Sequence, residues 1–177
     1  MRNVGRRLIR GSGQGLAEFA IVAPIFFMAV FGVIQLGLLF GAQNGLVNAV
    51  RDTARYAATY RVSDTADSSA ACTNFALPHI TAAKQQFMPG WISAAPQQTT
   101  VTYHWAANPA PTNTTQSTYF VEVIVQSTYA MPLYVPIVSN ILDNTAPHPS
   151  TMLSAREEMR IENPALAYSR SDVTCSS

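Results

Sequence analysis

The spacing of hydrophobic and polar positions divides the chain into three regimes. Residues 19–42 read FAIVAPIFFMAVFGVIQLGLLFGA, carry no formal charge and hold one strongly polar side chain, Gln35. As a helix this run measures about 36 Å, more than the roughly 30 Å of a bilayer hydrocarbon core. Apolar runs of buried soluble helices and of cleaved signal peptides usually stop at about 10–15 residues. The run therefore predicts a membrane-spanning helix. The helical period continues beyond it. Leu46, Val47, Val50, Ala54, Ala57 and Ala58 keep a helical period while Asn44, Arg51, Asp52 and Arg55 fall on other faces, the pattern of a helix that leaves the membrane and packs on a soluble domain.

Farther along, the period changes from 3.6 to 2. Residues 99–105 place Val101, Tyr103 and Trp105 on one face and Thr100, Thr102 and His104 on the other. Residues 119–129 place Tyr119, Val121, Val123, Val125 and Tyr129 on one face. Joined by the Pro/Asn/Thr-rich loop 108–117, these two strands are expected to form an antiparallel hairpin. A third strand is expected over 152–162, with Leu153, Ala155, Met159 and Ile161 inward. Residues 72–87 read as a helix ended by Pro89-Gly90, residues 63–71 as a linker and 131–142 as a stretch with a short apolar helix after Pro136. The polar tail 164–177 is expected to lack fixed structure. The fold class is α+β: a long N-terminal transmembrane helix packed on a small antiparallel sheet in an extracytoplasmic domain.

Composition sharpens this picture. Only 12% of residues are charged, and the net charge is +1. Four arginines, Arg2, Arg6, Arg7 and Arg10, precede the first acidic residue, Glu18; the remainder holds seven basic and ten acidic side chains. A slightly acidic domain argues against nucleic acid as a partner. The basic N-terminal segment favours a cytoplasmic N-terminus, with the soluble domain across the membrane. In an oxidising compartment Cys72 and Cys175 are a candidate disulfide; two separate thiols are the alternative. Gly37, Gly41 and Gly45 recur at every fourth position, a candidate surface for close helix packing.

Glu18 is the residue that turns an anchor into a functional hypothesis. A carboxylate at the mouth of an apolar helix is costly to draw into lipid, although a helix N-terminus tolerates one. Cleavage after Gly13 would make Gln14 the new N-terminus and Glu18 the fifth residue. This arrangement resembles the type IV prepilin signal: basic leader, glycine, glutamate at the fifth position, hydrophobic helix. The wider stretch is similar to TadE-like proteins, a family containing pseudopilins of the tight-adherence (Flp-type) pilus system. The similarity rests on Gly13 to Glu18 followed by Phe19, on Pro24, on the A-R-x-A-like Ala54, Arg55 and Ala57, and on the late element SAREEMR at 154–160.

The resemblance implies a basic leader at 1–13, a transmembrane helix with an extracytoplasmic extension at 14–62, the linker 63–71, a soluble domain at 72–163 and the tail. It implies a prepilin peptidase acting at Gly13 and Gln14. It further implies pairing of Glu18 with a neighbouring subunit's new α-amine, and partners among pilin or pseudopilin subunits and the pilus assembly machinery. The implied location is the bacterial inner membrane, with the domain periplasmic or extracellular. No P-loop, Rossmann, zinc-protease or nucleophile-elbow pattern occurs, and His79, His104 and His148 lack neighbours at metal-ligand spacing. No enzyme activity, cofactor or metal is expected. The alternative is a membrane-tethered binding or adhesion domain with an uncleaved signal anchor, for which Glu18 would be dispensable.

Overall fold

A computed structural model describes residues 12–88, 97–108, 118–133, 150–161 and 170–177. Helix α1 runs from Ser12–Ala58, unbroken through Pro24. A second helical stretch follows: α2 (Thr65–Ala70), a π-helical segment (Ala71–Ala76) and α3 (Leu77–Phe87). Among the described residues four strands follow: β1 (Gln97–Asn108), β2 (Thr118–Pro132), β3 (Ser150–Arg160) and β4 (Val173–Ser176). They form one antiparallel sheet in the order β3-β2-β1-β4.

The long helix changes environment part-way. Leu16, Ile21 and Val33 are each about 70% exposed, whereas Gln35 is 2% exposed and Ala42, Leu46, Ala49, Ala54 and Ala57 are fully buried. Among α1 residues, the deeply buried positions thus begin at Gln35, whose Nε2 lies 3.5 Å from the Pro132 carbonyl. The part left bare is residues 13–34, about 33 Å at 1.5 Å per residue, which matches a hydrocarbon core. The charge-free run 19–42 therefore does not coincide with the bare segment: its last turns already pack on the domain.

From there, α1 and α3 lie against one face of the sheet. Val101, Tyr103, Val121, Val123, Val125 and Tyr129 fill the layer between them, the inward positions of the period-2 pattern. Tyr119 is only half-buried. Alanines dominate the buried face of α1, which lets its backbone approach closely. A polar clamp also joins the helices: His79 Nε2 lies 2.8 Å from Asp52 Oδ2, and its ring stacks on Tyr56 at 4.0 Å.

Two expectations are corrected. The linker 63–71 contains α2, because Asp64 caps it: its side chain accepts the Asp67 N–H at 2.8 Å, while Asp67 reaches back to the Ser63 N–H, satisfying donors that a helix start leaves orphaned. The tail 164–177, expected to lack structure, ends in β4, which pairs with β1 from Tyr103↔Val173 to Thr100↔Ser176. The short helix expected after Pro136 lies outside the described residues; Met131 and Pro132 extend β2.

The π-helical segment has a local cause. Pro78 lacks an N–H and its ring crowds the carbonyl four residues back, so the preceding turn widens and the Leu77 N–H bonds to the Cys72 carbonyl. Cys72 is joined to Cys175 of β4, with Cα atoms 6.0 Å apart and a sequence separation of 103.

Lys84 is the one buried cation among the described residues, at 6% exposure. It donates to Thr99 Oγ1, which lies 3.1 Å from Ser127 Oγ. Burial lowers its pKa from 10.5 to about 8. Below pH 8 folded and unfolded forms are both protonated, and the folded form bears the full cost of the buried charge. Between pH 8 and 10.5 the unfolded chain holds the proton more tightly, so stability rises with pH. At about 1.4 kcal/mol per pH unit the gain is on the order of 3 kcal/mol. Tyr103 acts oppositely: burial, then the nearby Tyr60, raises its pKa, so stability falls once the unfolded tyrosine ionises near pH 10. Chemical denaturation of the detergent-solubilised chain is expected to show higher stability at pH 9.5 than at pH 7.5. Lys84→Met is expected to flatten that rise; an unchanged slope in the variant would assign it to another group.

Candidate functional site

The sequence directs attention to the start of α1. Among the described residues the helix begins at Ser12, so Glu18 lies beyond its first turn, and the helix macrodipole, which fades within that turn, does little for it. Its Oε1 accepts a hydrogen bond from Gln14 Nε2 at 3.1 Å on the exposed helix surface. The carboxylate therefore has a neutral amide as its neighbour, from the same residue that cleavage after Gly13 would turn into a cationic N-terminus. Gly13 has open space around its Cβ position. The bare apolar cylinder continues to Ile34, with Phe27 stacked on Phe31.

The three glycines at helical spacing do not share one environment. A Cβ on Gly37 or Gly41 would meet nothing within 4 Å, whereas one on Gly45 would stand 2.6 Å from the Phe87 carbonyl oxygen and 3.0 Å from Met88 Cγ. Gly45 is thus where α3 ends against α1, a contact inside the chain; Gly37 and Gly41 face outward. Gly45→Ala is expected to destabilise the domain by about 1–3 kcal/mol, since the obstacle is backbone. Gly41→Ala is expected to be neutral or to stabilise by up to about 1 kcal/mol through helix propensity. Thermal unfolding of both variants checks this; equal effects would mean that the close approach is absent.

These residues lie in one continuous segment, and a comparison with known families places it. Residues 13–55 match the model of the TadE-like protein family. The match to the TadE-like protein family starts at the glycine that would precede the cut, includes Glu18 and the whole bare helix, and ends at Arg55. It lies wholly within α1. No curated protein and no solved structure matches the chain. The helix of the TadE-like segment is long and apolar enough to cross a membrane, and its bare surface is unlike that of a soluble core helix.

The fold brings the matched segment against the chain's late SAREEMR element. The late element at 154–160 is most of β3, which packs on α1; Arg51 of α1 lies 3.8 Å from Glu157 of β3, and Gln43 donates to the Ser154 carbonyl at 3.0 Å. Glu157 faces the helix, while Glu158 faces outward beside Arg156.

The outer face of the sheet carries a row of charges that the sequence did not announce. Arg160, Glu122 and His104 occupy paired positions on β3, β2 and β1, and His104 Nδ1 lies 2.7 Å from Asp172 Oδ2. Burial, then a hydrogen bond and charge from Glu158, raise the Glu122 pKa against the pull of His104 and Arg160. For Asp172, burial pushes upward, but the His104 hydrogen bond, the Trp105 N–H and the His104 charge outweigh it and the pKa is lowered. Asp172, just before β4, thereby ties that strand to β1. Among the described residues no group of three His, Cys, Asp or Glu side chains could hold a metal; His148 lies outside them.

Proposed function

We propose that the chain is a pseudopilin of a tight-adherence pilus system: a non-enzymatic subunit, anchored in the bacterial inner membrane and processed by a prepilin peptidase. The observation that supports this best is the joint placement of Gly13, Gln14 and Glu18 at the head of a bare helix whose remainder is built into a sheet domain. Cleavage after Gly13 leaves Gln14 with an α-ammonium group. Glu18, held near Gln14 by one helical turn, is then placed to accept that group from a neighbouring helix, the two charges compensating each other where either alone is expensive. Gly37 and Gly41 keep the same helix free of side chains farther along, where helices approach.

The disulfide supports the orientation. Such bonds persist outside the reducing cytoplasm, so a Cys72–Cys175 bridge favours a domain across the membrane from the arginine-rich N-terminus. The intact mass of the chain purified from its host membrane tests the reading. Loss of residues 1–13 is the expected result. Retention of the leader in a host with an active prepilin peptidase would instead favour a signal-anchored binding domain.

A further inference from the structure

At the end of the domain farthest from the bare helix, α1, the turn after it and the end of β3 enclose a pocket of about 580 Å³. Its walls include three arginines, Arg55, Arg61 and Arg160, and its apolar lining is Ala58, Met159 and Ile161. The concentration of charge is unusual for this chain, which has seven basic residues beyond the N-terminal four. Arg51 and Arg156 lie beside Glu157 and Glu158, and Lys84 is buried. Arg55 and Arg61 have no carboxylate partner among the described residues. Arg160 is already engaged, sitting 4.0 Å over the Phe120 ring and paired in register with Glu122.

We propose that this pocket docks an acidic segment of a partner protein, its carboxylates held by Arg55 and Arg61 and an aliphatic side chain resting on Ala58 and Met159. Guanidinium groups bind carboxylates through paired charge-assisted hydrogen bonds. The end of α1 opposes an anion with about half a negative charge, less than the arginines supply. Its last carbonyls are also partly occupied: Tyr56 accepts the Thr59 N–H and hydroxyl, and Ala57 accepts the Tyr60 N–H. Lipid headgroups of the anchoring membrane do not fit the position, since Arg55 lies about 30 Å along α1 from Gln35. Nucleic acid does not fit the chemistry, since the floor is apolar and the rest of the domain is acidic. The inference is independent of the pseudopilin reading: the pocket can bind whether or not the leader is removed.

The test uses the full chain in zwitterionic nanodiscs and isothermal titration with a six-residue peptide of alternating glutamate and leucine. Salt-sensitive binding is expected, with no binding by the same peptide carrying glutamine for glutamate. Arg55→Gln and Arg61→Gln are each expected to weaken it about tenfold or more, and Arg160→Gln less. Arg156→Gln, outside the pocket, is expected to leave it unchanged. Ala58→Met, which fills the floor and leaves every charge in place, is expected to block binding without lowering the melting temperature. Equal binding of the glutamine peptide overturns the proposal, as does indifference to Arg55 and Arg61. Tighter binding of inorganic pyrophosphate than of the peptide overturns it in favour of a small-oxyanion site.

Discussion

Glu18→Gln is expected to leave cleavage after Gly13 intact and to abolish productive assembly. The substitution keeps the shape of the side chain and its capacity to accept from Gln14 Nε2, which lies 3.1 Å from Glu18 Oε1. What it removes is the charge that answers a neighbour's α-ammonium group. Two unit charges 4 Å apart attract by about 1 kcal/mol in water and about 4 kcal/mol at an effective dielectric constant of 20. Removing one partner of a buried pair costs about 3–5 kcal/mol, because the other charge is stranded. Repeated at every subunit contact, that loss is decisive. Gly13→Val, by blocking cleavage, withholds the amine and is expected to give the same assembly defect with Glu18 present. If the two groups act on each other, combining the substitutions adds nothing to either alone. Counting surface pili by electron microscopy, with the processed mass measured in parallel, separates the steps. Normal pili from a fully processed Glu18→Gln strain would sink the pairing role while leaving the peptidase site in place.

How much of this was legible in the sequence depends on the length over which each signal accumulates. The α1 helix and the three long strands extend over many residues, so their periods stand out, and the α+β class with its transmembrane helix follows from them. Short elements do not accumulate a pattern. β4 spans four residues, and its alternation of Val173 and Cys175 with Thr174 and Ser176 repeats only twice; its place in the sheet depends on β1 and on a cysteine 103 residues away. The α2 helix did carry a local signal, Asp64 three residues before Asp67, but six residues are too few to separate a capped helix from a polar turn. The glycines show a different limit. Gly37, Gly41 and Gly45 have the same spacing, and only the arrival of α3 from outside the local sequence distinguishes Gly45. The arginine pocket lay beyond sequence reading for the same reason. Arg55 and Arg160 are neighbours only because β3 returns to the end of α1.

Loss of the Cys72–Cys175 bond is expected to be the largest single change in the stability of the domain. A four-residue edge strand has little to hold it. β4 contributes its ladder with β1, the Thr102–Thr174 hydroxyl contact at 3.0 Å, the Ser177 N–H to the Thr99 carbonyl at 3.1 Å and the Asp172 contacts with His104 and Trp105. The His104 and Asp172 side chains are each more than two-fifths exposed, where an ion pair contributes about 0–1 kcal/mol. The covalent link acts on the other side of the equilibrium, by restricting the unfolded chain. For a loop of about 100 residues, the chain-entropy model gives about 4–5 kcal/mol, or a fall of roughly 10–15 °C in melting temperature for a chain of this size. The double variant Cys72→Ser, Cys175→Ser is expected to melt lower by that amount and to lose protection at the Trp105 amide, which Asp172 holds at 3.1 Å. The amides of α1 next to Ala49 and Ala54, deep under the sheet, are expected to keep theirs. Reducing agent should reproduce the shift in the native chain and do nothing further to the variant. If reduction leaves the native melting curve in place, β4 is held by its hydrogen bonds alone and the bond is dispensable for the domain. The same intact mass that reports the leader also reports this bond, because the oxidised chain is lighter by two hydrogens. Reduced cysteines in protein taken directly from its host, with exchange blocked, would argue for a domain on the cytoplasmic side and against the proposed orientation, whatever the state of the leader.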